Sequence, residues 1–70
     1  VTNSILFREA VEKAGIKYKF LAKSLGLTPY GLQKKIENQS EFKASEIYLA
    51  SEVLNLTEAD RNAIFFCTTR

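Results

Sequence analysis

The chain has 70 residues, 46% of them hydrophobic and 26% charged, with one cysteine, no histidine and a formal net charge of +2. That length makes one domain near the lower limit at which a single hydrophobic core suffices. The lone Cys67 excludes an internal disulfide, and without histidine a zinc site would have only carboxylates and one thiolate to draw on.

A chain without such staples is expected to be helical and well patterned, or to bury surface in a partner. No apolar run approaches the roughly eighteen residues needed to cross a bilayer, so no membrane association is expected. The first residues lack a basic segment followed by a long apolar one, so no signal peptide is read and a cytoplasmic setting is expected. The charge is unevenly placed. Lys17, Lys19, Lys23, Lys34, Lys35 and Lys43 outnumber Glu37 and Glu41 in the middle of the chain, while the flanks are net acidic. A basic centre between acidic flanks suits a small domain that turns one side to phosphates, although lysines also simply solvate helix surfaces.

The spacing predicts a first helix over about 4–14. Phe7, Ala10, Val11 and Ala14 share one face, Asn3 or Ser4 caps the start and Gly15 stops it. A second, short helix is predicted over about 17–25, with Tyr18, Leu21, Ala22 and Leu25 inward and Lys17, Lys19, Lys23 and Ser24 outward. Gly26 ends it where positive φ is needed, and Leu27 plugs the turn. Thr28 and Pro29 are an N-cap and first-turn pair for a third helix over about 29–37. Only Leu32 and Ile36 are clearly apolar there, which suits a helix that reads something polar better than one that fills a core.

A polar turn follows, with Asn38 as a left-handed residue and Phe42 as an anchor. A fourth helix is predicted over about 44–54, with Ile47, Ala50, Ser51 and Leu54 on one face and Glu46 in its first turn. Asn55 ends it. Thr57 to Asp60 resembles a capping box for a fifth helix over about 58–66, leaving 67–70 as a flexible tail of a single domain.

Starting at Tyr18, the sequence resembles the helix-turn-helix of the phage Cro and repressor family, the Xre-like regulators. That motif of about twenty residues has Ala fifth, Gly ninth and apolar residues fourth, eighth, tenth and fifteenth. Here these are Ala22, Gly26, Leu21, Leu25, Leu27 and Leu32. Ala22 is small where two helices cross, Gly26 makes the turn, and the leucines hold the interhelical angle. The resemblance continues through Lys34-Lys35-Ile36-Glu37-Asn38 and covers nearly the whole chain. Tyr18 stands where many members have Gln, Asn38 where they have Gly, and Arg61 where they have an apolar residue.

The resemblance implies an all-α, compact five-helix lambda-repressor-like domain. It also implies sequence-specific binding of double-stranded DNA by a phage-type transcriptional regulator, with the third helix in the major groove. Thr28, Pro29, Tyr30, Gln33 and Lys34 are then the base-contact residues, and Lys17, Tyr18, Lys19, Gln39, Ser40 and Lys43 the phosphate contacts. Tyr30 either meets DNA or packs. Two copies on a two-fold related operator are expected, because one small module reads too little sequence.

The run Ala63 to Cys67 holds more apolar side chains than one face of a short helix can bury. Ile64, Phe65 and Phe66 are therefore candidates for a homodimer contact or for a repressor partner; the other packing has Ile64 and Phe65 closing the core. A protein-binding modulator or antitoxin-like partner acting through that helix is the alternative function. No catalytic set, metal site, cofactor or small-molecule substrate is read from the sequence, because no nucleophile and base could meet.

Overall fold

The computed structural model describes residues 1–67; of the tail predicted at 67–70, Cys67 is described, its carbonyl accepting from the Val1 ammonium at 2.9 Å, and 68–70 lie outside the described residues. Among these the chain forms five helices and no strands: α1 (Ser4–Ala14), α2 (Tyr18–Ser24), α3 (Pro29–Ile36), α4 (Ala44–Val53) and α5 (Glu58–Phe65). α2 packs on α3 and α4, and α5 packs on α1 and α4. The principal extents are 26 × 24 × 20 Å.

Local chemistry sets the helix limits. Asn3 Oδ1 accepts from the Leu6 N–H, Thr28 Oγ1 from Gly31 N–H and Thr57 Oγ1 from Asp60 N–H, so three helices begin with one free amide satisfied. The ends are as specific. Gly15 sits at φ 71°, Gly26 at 74°, Asn38 at 64° and Asn55 at 54°.

After α2 the Leu27 amide reaches back to Ala22 O at 2.8 Å and Gly26 N–H to Lys23 O. The same pair of bonds recurs after α3, from Gln39 to Lys34 and from Asn38 to Lys35, and after α4, from Leu56 to Ser51 and from Asn55 to Glu52. Each satisfies two carbonyls that the helix leaves open, and each needs a left-handed residue at its pivot. Consequently Leu25, Glu37 and Leu54 are cap residues rather than the last helical ones, and Phe66 caps α5 without a left-handed pivot, its N–H bonded to Asn62 O.

The core joins Phe7 and Val11 of α1, Leu21, Ala22 and Leu25 at α2, Leu32 and Ile36 of α3, Ala50 and Leu54 at α4, and Ile64 and Phe65 of α5. At one end Phe7 stacks on Phe42 with centroids 5.6 Å apart, and Phe65 meets both rings edge-on at 5.8 and 5.2 Å. Offset and edge-on contacts are the geometries aromatic quadrupoles favour. Phe42 thereby ties the loop after α3 to the first and last helices. Two residues expected to face inward do not. Ala14 is exposed because it ends α1 beyond the core edge, and Tyr18, the first residue of α2, remains partly accessible.

The N-terminal segment is fixed by polar bonds. Thr2 N–H donates to Asn38 Oδ1 at 2.8 Å while Asn38 Nδ2 donates to Thr2 O at 2.9 Å. Ser4 Oγ donates to Ile36 O at 2.7 Å, and the Asn3 amide to Ile64 O. Asn38 therefore does what glycine could not, holding the turn after α3 and clamping a second segment with its side chain.

Two predictions follow from this packing. Phe7→Ala empties the centre of the aromatic cluster and should cost about 3 to 5 kcal/mol, read from the denaturant midpoint. Asn38→Gly should relieve a backbone conformation that disfavours side chains, worth about 1 kcal/mol, but lose two hydrogen bonds worth about 1 kcal/mol each. The net effect is a loss of about 1 kcal/mol in urea unfolding, opposite in sign to what turn preference alone gives.

Candidate nucleic-acid interface

α3 has two unlike sides. Leu32 and Ile36 point into the core, and Tyr30, Gln33, Lys34 and Glu37, spaced i, i+3, i+4 and i+7, line the outer face. Thr28, Pro29, Tyr30 and Gln33 are exposed and Lys34 is half-buried. Tyr30 is 71% exposed, so it does not pack in the core. Lys34 Nζ lies 5.6 Å from its ring centroid, within reach of a cation–π attraction that keeps the ammonium over the outer face.

The residues read as phosphate contacts flank this helix. Lys17, Tyr18 and Lys19 stand at the start of α2, and Gln39, Ser40 and Lys43 in the turn and cap before α4; all six are exposed. Arg8 of α1 lies between Tyr18 and the end of α3. It shares a shallow hollow with Tyr18 and reaches across to Glu37 at 3.5 Å.

Lys35 departs from the basic centre read in the sequence. Its Nζ is 2.6 Å from Glu46 Oε1 and 3.2 Å from Glu41 O, with only 12% and 8% of the Lys35 and Glu46 side chains exposed. This lysine is internal and does not add to the outward positive charge. Glu46 Oε1 also accepts the Lys43 backbone N–H at 2.8 Å, capping α4 from its own first turn. Lysine has no acceptor to return the bond, so this is one half of a capping box.

Burial pushes the Glu46 carboxyl up. The hydrogen bonds from Lys35 and from the Lys43 backbone, with the charges of both lysines, outweigh it and hold the group below its ordinary value of 4.5. The signal was present in the sequence: Lys35 lies three residues after Leu32, on the inward stripe.

At the C-terminal end the structure settles which packing holds. Ile64 and Phe65 are buried in the core of the single chain, and Phe66, 57% exposed, is the member of that set at its surface. α5 is amphipathic enough to spend both residues on the core, and Phe66 falls at its cap, beyond the inward stripe. Ile5, Phe20, Tyr48 and Leu49 are exposed apolar residues that periodicity did not single out. Among the described residues, no group of three or more histidine, cysteine, aspartate or glutamate side chains could hold a metal ion, and no helix is long and apolar enough to cross a membrane.

These features define a compact, all-helical five-helix domain with one polar, partly basic helix face at its surface. The chain belongs to the family described as "Protein of unknown function (DUF739)", whose model matches residues 3–68. No curated protein and no solved structure matches it.

The Lys35–Glu46 pair generates a prediction with a definite sign. The folded carboxyl lies below its unfolded value, so the stabilisation is complete above about pH 4.5 and is lost as pH falls through the lower folded value. Glu46→Gln should lower the melting temperature at about pH 7, with the gap to wild type closing below about pH 4.5. Lys35→Ala, which leaves a buried carboxylate without its partner, should cost about 3 kcal/mol at neutral pH.

Proposed function

We propose that the chain is a sequence-specific double-stranded DNA-binding regulator in which α2 and α3 form a helix-turn-helix of Cro and repressor type and α3 enters the major groove. The observation that carries this reading is the outer face of α3. Tyr30, Gln33 and Lys34 have no role in the core, yet the helix beneath them is held by Leu32, Ile36 and the buried Lys35–Glu46 pair. A rigid helix presenting an amide and an ammonium suits base edges. Gln33 pairs with adenine N6 and N7, Lys34 donates to guanine O6 and N7 or to phosphate, and Thr28, Pro29 and Tyr30 meet bases at the helix start.

The flanking set then supplies register and affinity without reading sequence: Lys17, Tyr18 and Lys19 on one side, Gln39, Ser40 and Lys43 on the other. Two copies occupy a two-fold related operator, with Phe66 as the apolar contact between them or with a repressor partner. A modulator acting only through its C-terminal helix would have less to work with, because Ile64 and Phe65 serve the core.

Selection of bound sequences from a random duplex pool at two salt concentrations tests the reading. A single enriched motif with half-site symmetry is expected; no enriched site, with binding that vanishes at moderate salt, overturns it. On the enriched site, Gln33→Ala should cost roughly 1 to 3 kcal/mol and relax one base position. Lys43→Ala should instead weaken all sequences alike and reduce the slope of log affinity against log salt by about 1.

A further inference from the structure

Gln33 is exposed, but its side chain is engaged. Nε2 donates to Glu37 Oε2 at 2.8 Å, one helical turn further on, and the same oxygen lies 3.5 Å from Arg8 Nη2. A carboxylate only accepts, so the amide must turn its nitrogen to Glu37 and its oxygen away. Arg8, arriving from α1, fixes the carboxylate and offsets its charge on a face otherwise suited to phosphates. Neither partner serves the core: the Arg8 and Glu37 side chains are 40% and 41% exposed.

We propose that Glu37, braced by Arg8, is a positioning residue that holds the Gln33 amide in the orientation that selects adenine over guanine. This rests on the DNA-binding reading above. Nε2 carries two hydrogens and Glu37 takes one, so the second hydrogen and Oε1 remain for a base. Adenine offers an acceptor at N7 and a donor at N6, which complement that pair. Guanine offers acceptors at both N7 and O6, so an oxygen held toward O6 is repelled. An amide released from Glu37 can turn and donate to O6 instead. Loss of the carboxylate therefore changes which base is accepted, rather than whether DNA is bound.

The test is a double-mutant cycle on the full chain, using the selected duplex with adenine or guanine at the position that Gln33→Ala relaxes. Glu37→Ala should reduce the adenine-to-guanine affinity ratio there about tenfold, at the lower end of the discrimination one bidentate contact supplies, and leave ratios at other positions unchanged. In the Gln33→Ala background the same substitution should do nothing further to the ratio.

An unchanged ratio in Glu37→Ala, a shift of equal size at every position, or an equal effect with Gln33 already removed would each overturn the positioning role. A measurement without DNA separates this from the parent reading. The Gln33 side-chain amide resonances should be dispersed in wild type and move to unstructured values in Glu37→Ala, and amide resonances already unstructured in wild type would refute the brace itself. A wild-type chain that selects no sequence would instead refute DNA reading, and the selectivity with it, even if the brace is seen.

Discussion

The presentation of α3 depends on one buried ion pair. Lys35 and Glu46 meet at 2.6 Å with little solvent around them, and the same carboxylate caps α4 through the Lys43 amide. Two charges taken out of water are stabilising only when their remaining hydrogen-bonding capacity is used, which here falls to Glu41 O and the Lys43 N–H. One oxygen atom thus sets the end of α3 against the start of α4. The loop between them cannot relax independently, because Phe42 within it is stacked on Phe7 and meets Phe65 edge-on.

The other side of α3 is held by different means to the same end. The turn after it is clamped to Thr2 by the two hydrogen bonds of Asn38, and Ser4 bonds the Ile36 carbonyl. With its C-terminal end fixed from both α1 and α4, the helix can leave the outer side of its N-terminal half, at Pro29, Tyr30 and Gln33, out of the core. A chain of this size has few residues to spare, and Tyr30, Gln33 and Lys34 are among those it leaves out of the core. The arrangement also brings Arg8, a residue of the first helix, to the edge of the polar face, where it meets Glu37.

Much of the local structure was legible because it is decided within a few residues. Thr28-Pro29, Thr57 with Asp60, Gly15, Gly26 and the two asparagines act through caps and left-handed pivots that need no distant partner. The inward stripes were also readable, since a 3.6-residue period places Phe7 with Val11 and Leu32 with Ile36 whatever lies opposite. The reading was weaker at element ends. Ala14 and Tyr18 fit the period yet lie where the core stops, and Ile64 and Phe65 could be assigned to the core, with Phe66 left at the surface, only once α1 and α4 were in place.

By itself, then, the sequence determined five helices, their stops, most of the apolar stripe and the polar outer side of the third helix, all of which follow from short-range sterics, capping and periodicity. Only the tertiary structure decided which polar residues are spent internally. Lys35 leaves the basic surface for Glu46, Asn38 exchanges hydrogen bonds with Thr2, and Arg8 reaches Glu37. Each partnership spans 11 residues or more, and the energy of a charge or an amide depends on which partner and how much water the fold places beside it. The helical period places Lys35 on the inward stripe, but no local pattern names its partner.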